Sequence, residues 1–182
     1  TGTVWGWGWN GKGQIARSSD VVESAHPERI PEIPSARFVA AGHETSFIID
    51  SDGNLWSWGG GEYRPRMMNS ILGLDDVRFL HVDGGVFHAA AATEDGRCVV
   101  WGKHKGQGWG GIQCTTPATG VLAWKPSDGA IIKQVACGCK HTVAVDTNGR
   151  VWTFGDNARG QLGDRSTAPA AAAATAAAAT TT

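Results

Sequence analysis

Charge is sparse and balanced in this chain. Its 182 residues carry 16 Lys and Arg against 17 Asp and Glu, a formal net charge of −1. No basic block stands out, so the footprint of a chromatin or RNA binder is missing and the sequence carries no nucleic-acid signal. No apolar run is long enough for a membrane-spanning helix, and no signal or transit peptide is legible. The four cysteines lack a framework spacing, which fits a reducing, intracellular compartment better than a disulfide scaffold. Catalytic patterns are missing too. Six histidines and 17 acids show neither a Ser/His/Asp order nor a paired-acid spacing. Gly106-Gln107-Gly108-Trp109-Gly110-Gly111 lacks the strand, helix and Lys that a phosphate loop requires, and reads as a connecting loop. No sustained helical period appears before the terminal Ala/Thr stretch.

Glycine and tryptophan, at 26 and nine residues, are abundant, and they recur in register. VAAGHETSFIIDSDGNLWSWG (39–59), VDGGVFHAAAATEDGRCVVWG (82–102) and VACGCKHTVAVDTNGRVWTFG (135–155) superpose without a gap. One column holds Gly42, Gly85 and Gly138, a second Gly53, Gly96 and Gly149, a third Gly59, Gly102 and Gly155. The opening TGTVWGWG matches the second half of the unit. Starts 43 and then 53 residues apart fall in the range in which one supersecondary unit stacks on the next.

Each unit reads as two strands around a tight turn. The apolar runs at 47–49, 89–92 and 142–145 lead into Asp52-Gly53, Asp95-Gly96 and Asn148-Gly149, dipeptides suited to hairpin turns. In the next strand Trp5/Trp7, Trp56/Trp58, Val99/Trp101 and Trp152/Phe154 stand two apart, hence on one face, with a smaller residue between them in most copies. A lone hairpin cannot bury such surface, so these aromatics are expected to pack against neighbouring units. Small antiparallel sheets arranged radially make a β-propeller, and an all-β propeller is the expected fold class.

The complete copy, Gly138-Cys139-Lys140-His141 through Trp152-Thr153-Phe154-Gly155-Asp156-Asn157 to Gly160-Gln161-Leu162-Gly163, resembles the repeat of the regulator of chromosome condensation family. Val4-Trp5-Gly6-Trp7-Gly8-Trp9-Asn10 with Gly13-Gln14-Ile15 carries the same ending. The resemblance implies a seven-bladed propeller and covers 1–167: a half repeat plus linker at 1–37, then repeats at 38–80, 81–133 and 134–167. Three and a half repeats fall short of a ring, so a piece of a longer propeller is expected. The copies between are degenerate, with Thr45 in the column of His88 and His141, and Tyr63-Arg64-Pro65-Arg66 where the Gly-Gln-Leu-Gly ending belongs. Residues 168–182 form an Ala/Thr low-complexity tail, for which a short helix is the element that propensity allows.

Comparing copies also weighs the candidate sites. Cys137, Cys139 and His141 alternate as on one strand face, a tempting metal set, but Cys137 stands in the small-residue column of Ala41 and Gly84 and reads as packing. Once-per-blade recurrence makes His88 and His141 structural, each expected to hydrogen-bond the backbone of a neighbouring blade. The resemblance extends to plant ultraviolet-B photoreceptors, which sense light through Trp clusters, but His43, Val86, Phe87 and Cys139 occupy the equivalent Trp positions. Departures from the pattern are the better guide. Trp9 replaces Gly60, Lys103 and Asp156, Trp109 and Trp124 lie outside the strand framework, and Tyr63, Arg64 and Arg66 form a weaker loop candidate.

The expected function is a non-enzymatic, cofactor-free scaffold whose loops bind protein. The family's name also evokes nucleotide exchange on a small GTPase. An accessory role in an organellar ribonucleoprotein or ciliary assembly is the third reading.

Overall fold

The computed structural model describes residues 2–102, 121–163 and 175–177. All fourteen elements found among them are strands. The chain divides into two compact units, Thr1–Phe79 and Leu80–Thr182.

In the first unit β1 (Trp5–Trp9) pairs antiparallel with β2 (Glu23–Arg29). A second sheet follows in meander order from β3 (Ala36–Ala41), β4 (Thr45–Asp50), β5 (Leu55–Gly59) and β6 (Glu62–Met67). The second unit carries β7 (Phe79–Gly84), β8 (His88–Thr93), β9 (Cys98–Gly102) and β10 (Val121–Trp124) in one sheet. Its other sheet is β11 (Ile132–Cys137), β12 (His141–Asp146), β13 (Val151–Gly155) and β14 (Thr175–Ala177). Four-stranded antiparallel meanders repeated along a chain are the blades of a β-propeller.

The sequence pattern saw only the middle two strands of each blade. The first strand ends just before the Gly42, Gly85 or Gly138 column, which forms the turn into the second. Cys137 therefore closes β11 and His141 opens β12, with Gly138 and Cys139 in the turn, so these side chains do not share one strand face. The fourth strand comes from segments read as connections. Tyr63, Arg64 and Arg66 lie on edge strand β6 rather than in a loop; Pro65 is tolerated there because an edge strand leaves one side of its backbone unpaired. Trp124 ends β10. In place of a helix, the tail supplies β14, which pairs with β13 through Val151↔Ala177 and Thr153↔Thr175.

The hairpin glycines adopt the left-handed backbone their turns need, with φ of +88° at Gly53, +91° at Gly96 and +78° at Gly149. Register then sets the faces. Ile48 lies opposite Trp56 and Ser46 opposite Trp58; the same columns give Ala144↔Trp152 and Thr142↔Phe154. In the first unit Trp58, Ile48, Val4 and Ile30 form one core, so the outer face of β1–β2 covers the tryptophan face of the next blade. In the second, Ala90, Ala92, Cys98 and Val100 meet Ile132, Val135, Ala144 and Phe154. Burying a side chain of this size contributes about 2 to 3 kcal/mol.

A recurring polar lock closes two blades. The Asp50 carboxylate accepts from the backbone N–H of Asp52 (3.0 Å) and Asn54 (2.8 Å) and from Trp56 Nε1 (2.9 Å). Asp146 repeats this with Asn148 N (2.9 Å), Arg150 N (3.0 Å) and Trp152 Nε1 (3.0 Å), and adds Arg150 Nε at 2.7 Å. Burial pushes both carboxyls up, but the donors from Trp56 and Asn54, and from Trp152 and Arg150, outweigh it and hold them below the usual range. In the middle copy Thr93 replaces the Asp and Val99 the Trp, and Thr93 Oγ1 takes only the Arg97 N–H of that set, at 3.0 Å.

Candidate partner-binding surface

The segment after β1 folds into a loop fixed by buried Asn10. Its Nδ2 donates to the carbonyls of Arg17 (3.2 Å), Ser18 (3.2 Å) and Val21 (2.8 Å), and its Oδ1 accepts from Ile15 N (3.3 Å). Gln14 Oε1 accepts from Lys12 N at 2.9 Å, and Gly13 N donates to Asn10 O at 2.8 Å. The last blade builds the same loop, with Leu162 N to Asn157 Oδ1 at 3.0 Å, Arg159 N to Gln161 Oε1 at 2.8 Å and Gly160 N to Asn157 O at 3.0 Å. Side-chain amides taking the backbone N–H groups make a rigid platform from residues that belong to no strand.

Trp9 stands on that platform, 52% exposed. Its ring lies over Gly11, where a Cβ would collide with the indole. From β6, the Tyr63 hydroxyl donates to Gly11 O at 3.3 Å, and Gly61 N donates to Lys12 O at 3.0 Å. Two residues 54 positions apart in the sequence, Trp9 and Tyr63, thus flank one glycine. Arg64 and Arg66 continue β6 as exposed cations. Arg66 pairs with Glu62 at 2.8 Å, an exposed contact worth little to stability.

The other expected contact residues fall elsewhere. Trp109 lies outside the described residues. Trp124 packs edge to face on Trp152, ring centroids 5.0 Å apart, beside the core of the second unit, so its place is in the blade packing rather than on a binding loop. Conversely, Trp5 and Trp7, expected inside, are 52% and 59% exposed. Their sheet has two strands, and about half of each side chain stays open to solvent.

The repeat histidines sit in packing positions. His88 Nε2 meets Thr142 Oγ1 of the adjoining blade at 2.8 Å, a side-chain hydroxyl rather than the expected backbone group. Burial, with the nearby charge of His141, holds His88 below its ordinary pKa against the pull of Asp83. A Cβ at Gly138 would strike the His141 ring, so that column makes room for the imidazole. The Cys137 N–H donates to Asp83 Oδ2 at 2.7 Å and its Sγ to Asp83 O at 3.4 Å. Among the described residues no group of three His, Cys, Asp or Glu is placed to hold a metal, and no helix is long and apolar enough to cross a membrane.

Known proteins match both the repeat and the blades. Two family models, each described as Regulator of chromosome condensation (RCC1) repeat, match residues 37–64 and 132–161, and residues 1–49. The probable E3 ubiquitin-protein ligase HERC4 of Mus musculus is 30% identical over 91% of this chain, but the match takes in 17% of that protein. The regulator of chromosome condensation of Drosophila melanogaster is 26% identical over 83% of the chain and 29% of its own length. The chain therefore spans less than a third of these two relatives. Among solved structures, human WBSCR16 superposes with a TM-score of 0.71 at 22% identity, covering 89% of this chain and 45% of that one. Prp20p of Saccharomyces cerevisiae, described with its binding to Gsp1p and histones, gives 0.68 at 18%, over 89% of this chain and 43% of its own. Repeat profile, blade register and superposition agree: the chain belongs to the regulator of chromosome condensation repeat family, with its β-propeller fold.

Proposed function

We propose that this chain is a non-enzymatic protein-binding scaffold, with the Trp9–Tyr63 patch as its contact surface. The supporting observation is the exposed indole of Trp9 on a loop held by side-chain amides, beside Tyr63 on the neighbouring blade. A rigid platform with two aromatics and flanking cations is the composition of an interface hot spot, since little freedom is lost on binding. Trp9→Ala with Tyr63→Ala tests it by affinity capture followed by mass spectrometry. Loss of a specific partner from a folded variant supports the assignment; unchanged recovery refutes it.

Guanine-nucleotide exchange on a small GTPase is the second reading, favoured by the likeness to Prp20p and its described binding to Gsp1p. Exchange calls for a wedge that displaces nucleotide and metal, and 103–133 is the insertion of useful size. Its one acidic residue, Asp128, is engaged by Arg150 Nη1 at 2.5 Å and by Ala130 N at 3.2 Å. That engagement leaves no free acid in the insertion for a wedge to use. Accelerated release of a fluorescent nucleotide from any member of a GTPase panel would replace the scaffold reading with this one. An accessory role in a large assembly is the form of the scaffold reading in which the captured partner is a stable complex.

A further inference from the structure

The joint between the two blades of the second unit gathers ionisable side chains that the scaffold reading does not use. Two of them, His81 and Asp83, stand two apart on β7 and so face the same way. In the repeat alignment the column of His81 holds Phe38 and Gln134, and that of Asp83 holds Ala40 and Ala136. The pair is peculiar to this copy, and both members reach the first strand of the next blade. The Asp83 carboxylate accepts from Cys137 N at 2.7 Å, and His81 Nδ1 accepts from Val135 N across a longer 3.5 Å. Nearby, His88 is buried with Nε2 against Thr142 Oγ1 at 2.8 Å, while its Nδ1 is buried with no hydrogen-bond partner. The packing leaves little slack. A Cβ on Gly85 would collide with Gly138 O, and one on Gly138 with the His141 ring.

Protons undo these contacts. Protonated His81 loses the lone pair that faces the Val135 N–H, presents a donor in its place, and competes with Cys137 for the Asp83 carboxylate. Protonated His88 carries an N–H at Nδ1 with nothing to accept it, and a buried charge without a partner is costly. Burial holds both imidazoles below their ordinary 6.5, against the pull of Asp83 on each and, at His88, with the repulsion of His141. The other ionisable groups on the packed strands are the Cys137 thiol and, on β9, the Cys98 thiol, both kept neutral by burial. Lys133 and Asp146 lie toward the far ends of β11 and β12, and Lys140 is turned over the Phe87 ring, 5.7 Å from its centroid.

We infer that this joint is an acid-sensitive latch: proton uptake by His81 and His88 frees the Cys137 end of β11, and the turn 138–140 after it, from the preceding blade. An imidazole kept neutral in the closed joint stabilises closure fully above its ordinary 6.5 and progressively less as pH falls below it. Between about pH 7.5 and about pH 5.5 each histidine contributes up to about a tenfold shift toward the open form. The latch does not depend on the Trp9–Tyr63 surface binding anything.

Thiol labelling of the whole chain reads the opening. Cys137 Sγ sits inside the joint, 3.4 Å from Asp83 O, whereas Cys139 is exposed and Cys98 is buried in the blade core. The reagent is a 2-pyridyl disulfide, whose good leaving group keeps exchange fast in mild acid, and peptide mass mapping identifies each modified cysteine. Relative to Cys139, Cys137 should label about 10- to 100-fold faster at about pH 5.5 than at about pH 7.5, with Cys98 unchanged. His81→Gln installs the residue of the same column in the last blade, an acceptor that does not titrate, and should reduce that rise severalfold. His88→Phe should do the same; far-UV circular dichroism shows whether filling that buried site prevents folding, in which case His81→Gln carries the test. A Cys137 to Cys139 ratio independent of pH overturns the inference, as does a rise that His81→Gln leaves unchanged. Cys98 rising in step with Cys137 overturns it too, because the core would then be opening as a whole.

Discussion

Replacing Asp146 is the sharpest test of how these blades are held. Its carboxylate is fully buried and receives the backbone N–H groups of Asn148 and Arg150, the Arg150 Nε and the Trp152 indole, all between 2.7 and 3.0 Å. Asp146→Ala strands all four donors, and removing one partner from a buried ionic network costs about 3 to 5 kcal/mol. Arg150 is 35% exposed and rehydrates, which argues for the lower end. Asp146→Thr copies the middle blade, where Thr93 Oγ1 takes the equivalent N–H of Arg97 at 3.0 Å. It should cost about 1 to 2 kcal/mol, because a hydroxyl satisfies one donor and leaves fewer unmet. Trp152→Phe deletes the bond to Asp146 and replaces the indole against Trp124 with a smaller phenyl, for about 1 to 2 kcal/mol.

The double variant Asp146→Thr/Trp152→Phe should then be less damaging than the two singles added, with a coupling of roughly 0.5 to 1 kcal/mol. Urea unfolding followed by far-UV circular dichroism reads all four corners without relying on Trp152 fluorescence. Because the folded carboxyl titrates below its ordinary 3.8, its contribution is complete above that value and disappears as pH falls through the lowered one. The gap between parent and Asp146→Thr should therefore narrow below about pH 4. Strict additivity, or a gap unchanged in acid, would refute the lock.

Three further outcomes follow from the blade packing. Thr142→Val removes the hydroxyl that meets His88 and should cost about 1 to 2 kcal/mol. His88 is held below its ordinary 6.5, so its neutral form favours the folded state and stability should fall as pH drops from 6.5 toward the lowered value; His88→Phe should flatten that limb in a chemical-denaturation series. Burial pushes the Cys98 thiol up to about 12, whereas Cys139 is exposed, so iodoacetamide under native conditions should label Cys139 well before Cys98. Equal rates by peptide mass mapping would mean that the core between the last two blades opens freely.

How far such features can be read from sequence depends on whether they are local. Gly53, Gly96 and Gly149 were legible because a left-handed turn residue announces itself without tertiary context. The central strands were legible through alternation. The outer strands were not. Val121–Trp124 is four residues long, and its pairing with β9 decides that Trp124 meets Trp152; nothing local says so. Tyr63-Arg64-Pro65-Arg66 reads as a loop because it stands where the Gly-Gln-Leu-Gly ending belongs, and only the edge position of β6 reconciles its Pro65 with a strand. The run Cys137, Cys139, His141 fits a strand or a tight turn equally well on spacing, and the chain reversal at Gly138 settles it. The sequence carries one further signal. Asp50 with Trp56 and Asp146 with Trp152 keep a six-residue interval, while Thr93 with Val99 loses both together, the mark of two side chains that touch.

The same comparison of copies explains why Trp9 is informative. In the last blade its counterpart Asp156 serves the loop, accepting from Ala158 N at 3.1 Å and Gln161 Nε2 at 3.0 Å. Trp9 forgoes both bonds and leaves an indole about half in water. The loop keeps its shape because Asn10 and Gln14 supply the remaining contacts, so the fold tolerates the exchange without requiring it. A substitution that gives up local hydrogen bonds and exposes apolar area gains nothing for the isolated blade. That exchange is an observation behind the proposed contact surface, to which Tyr63 adds a second aromatic across Gly11.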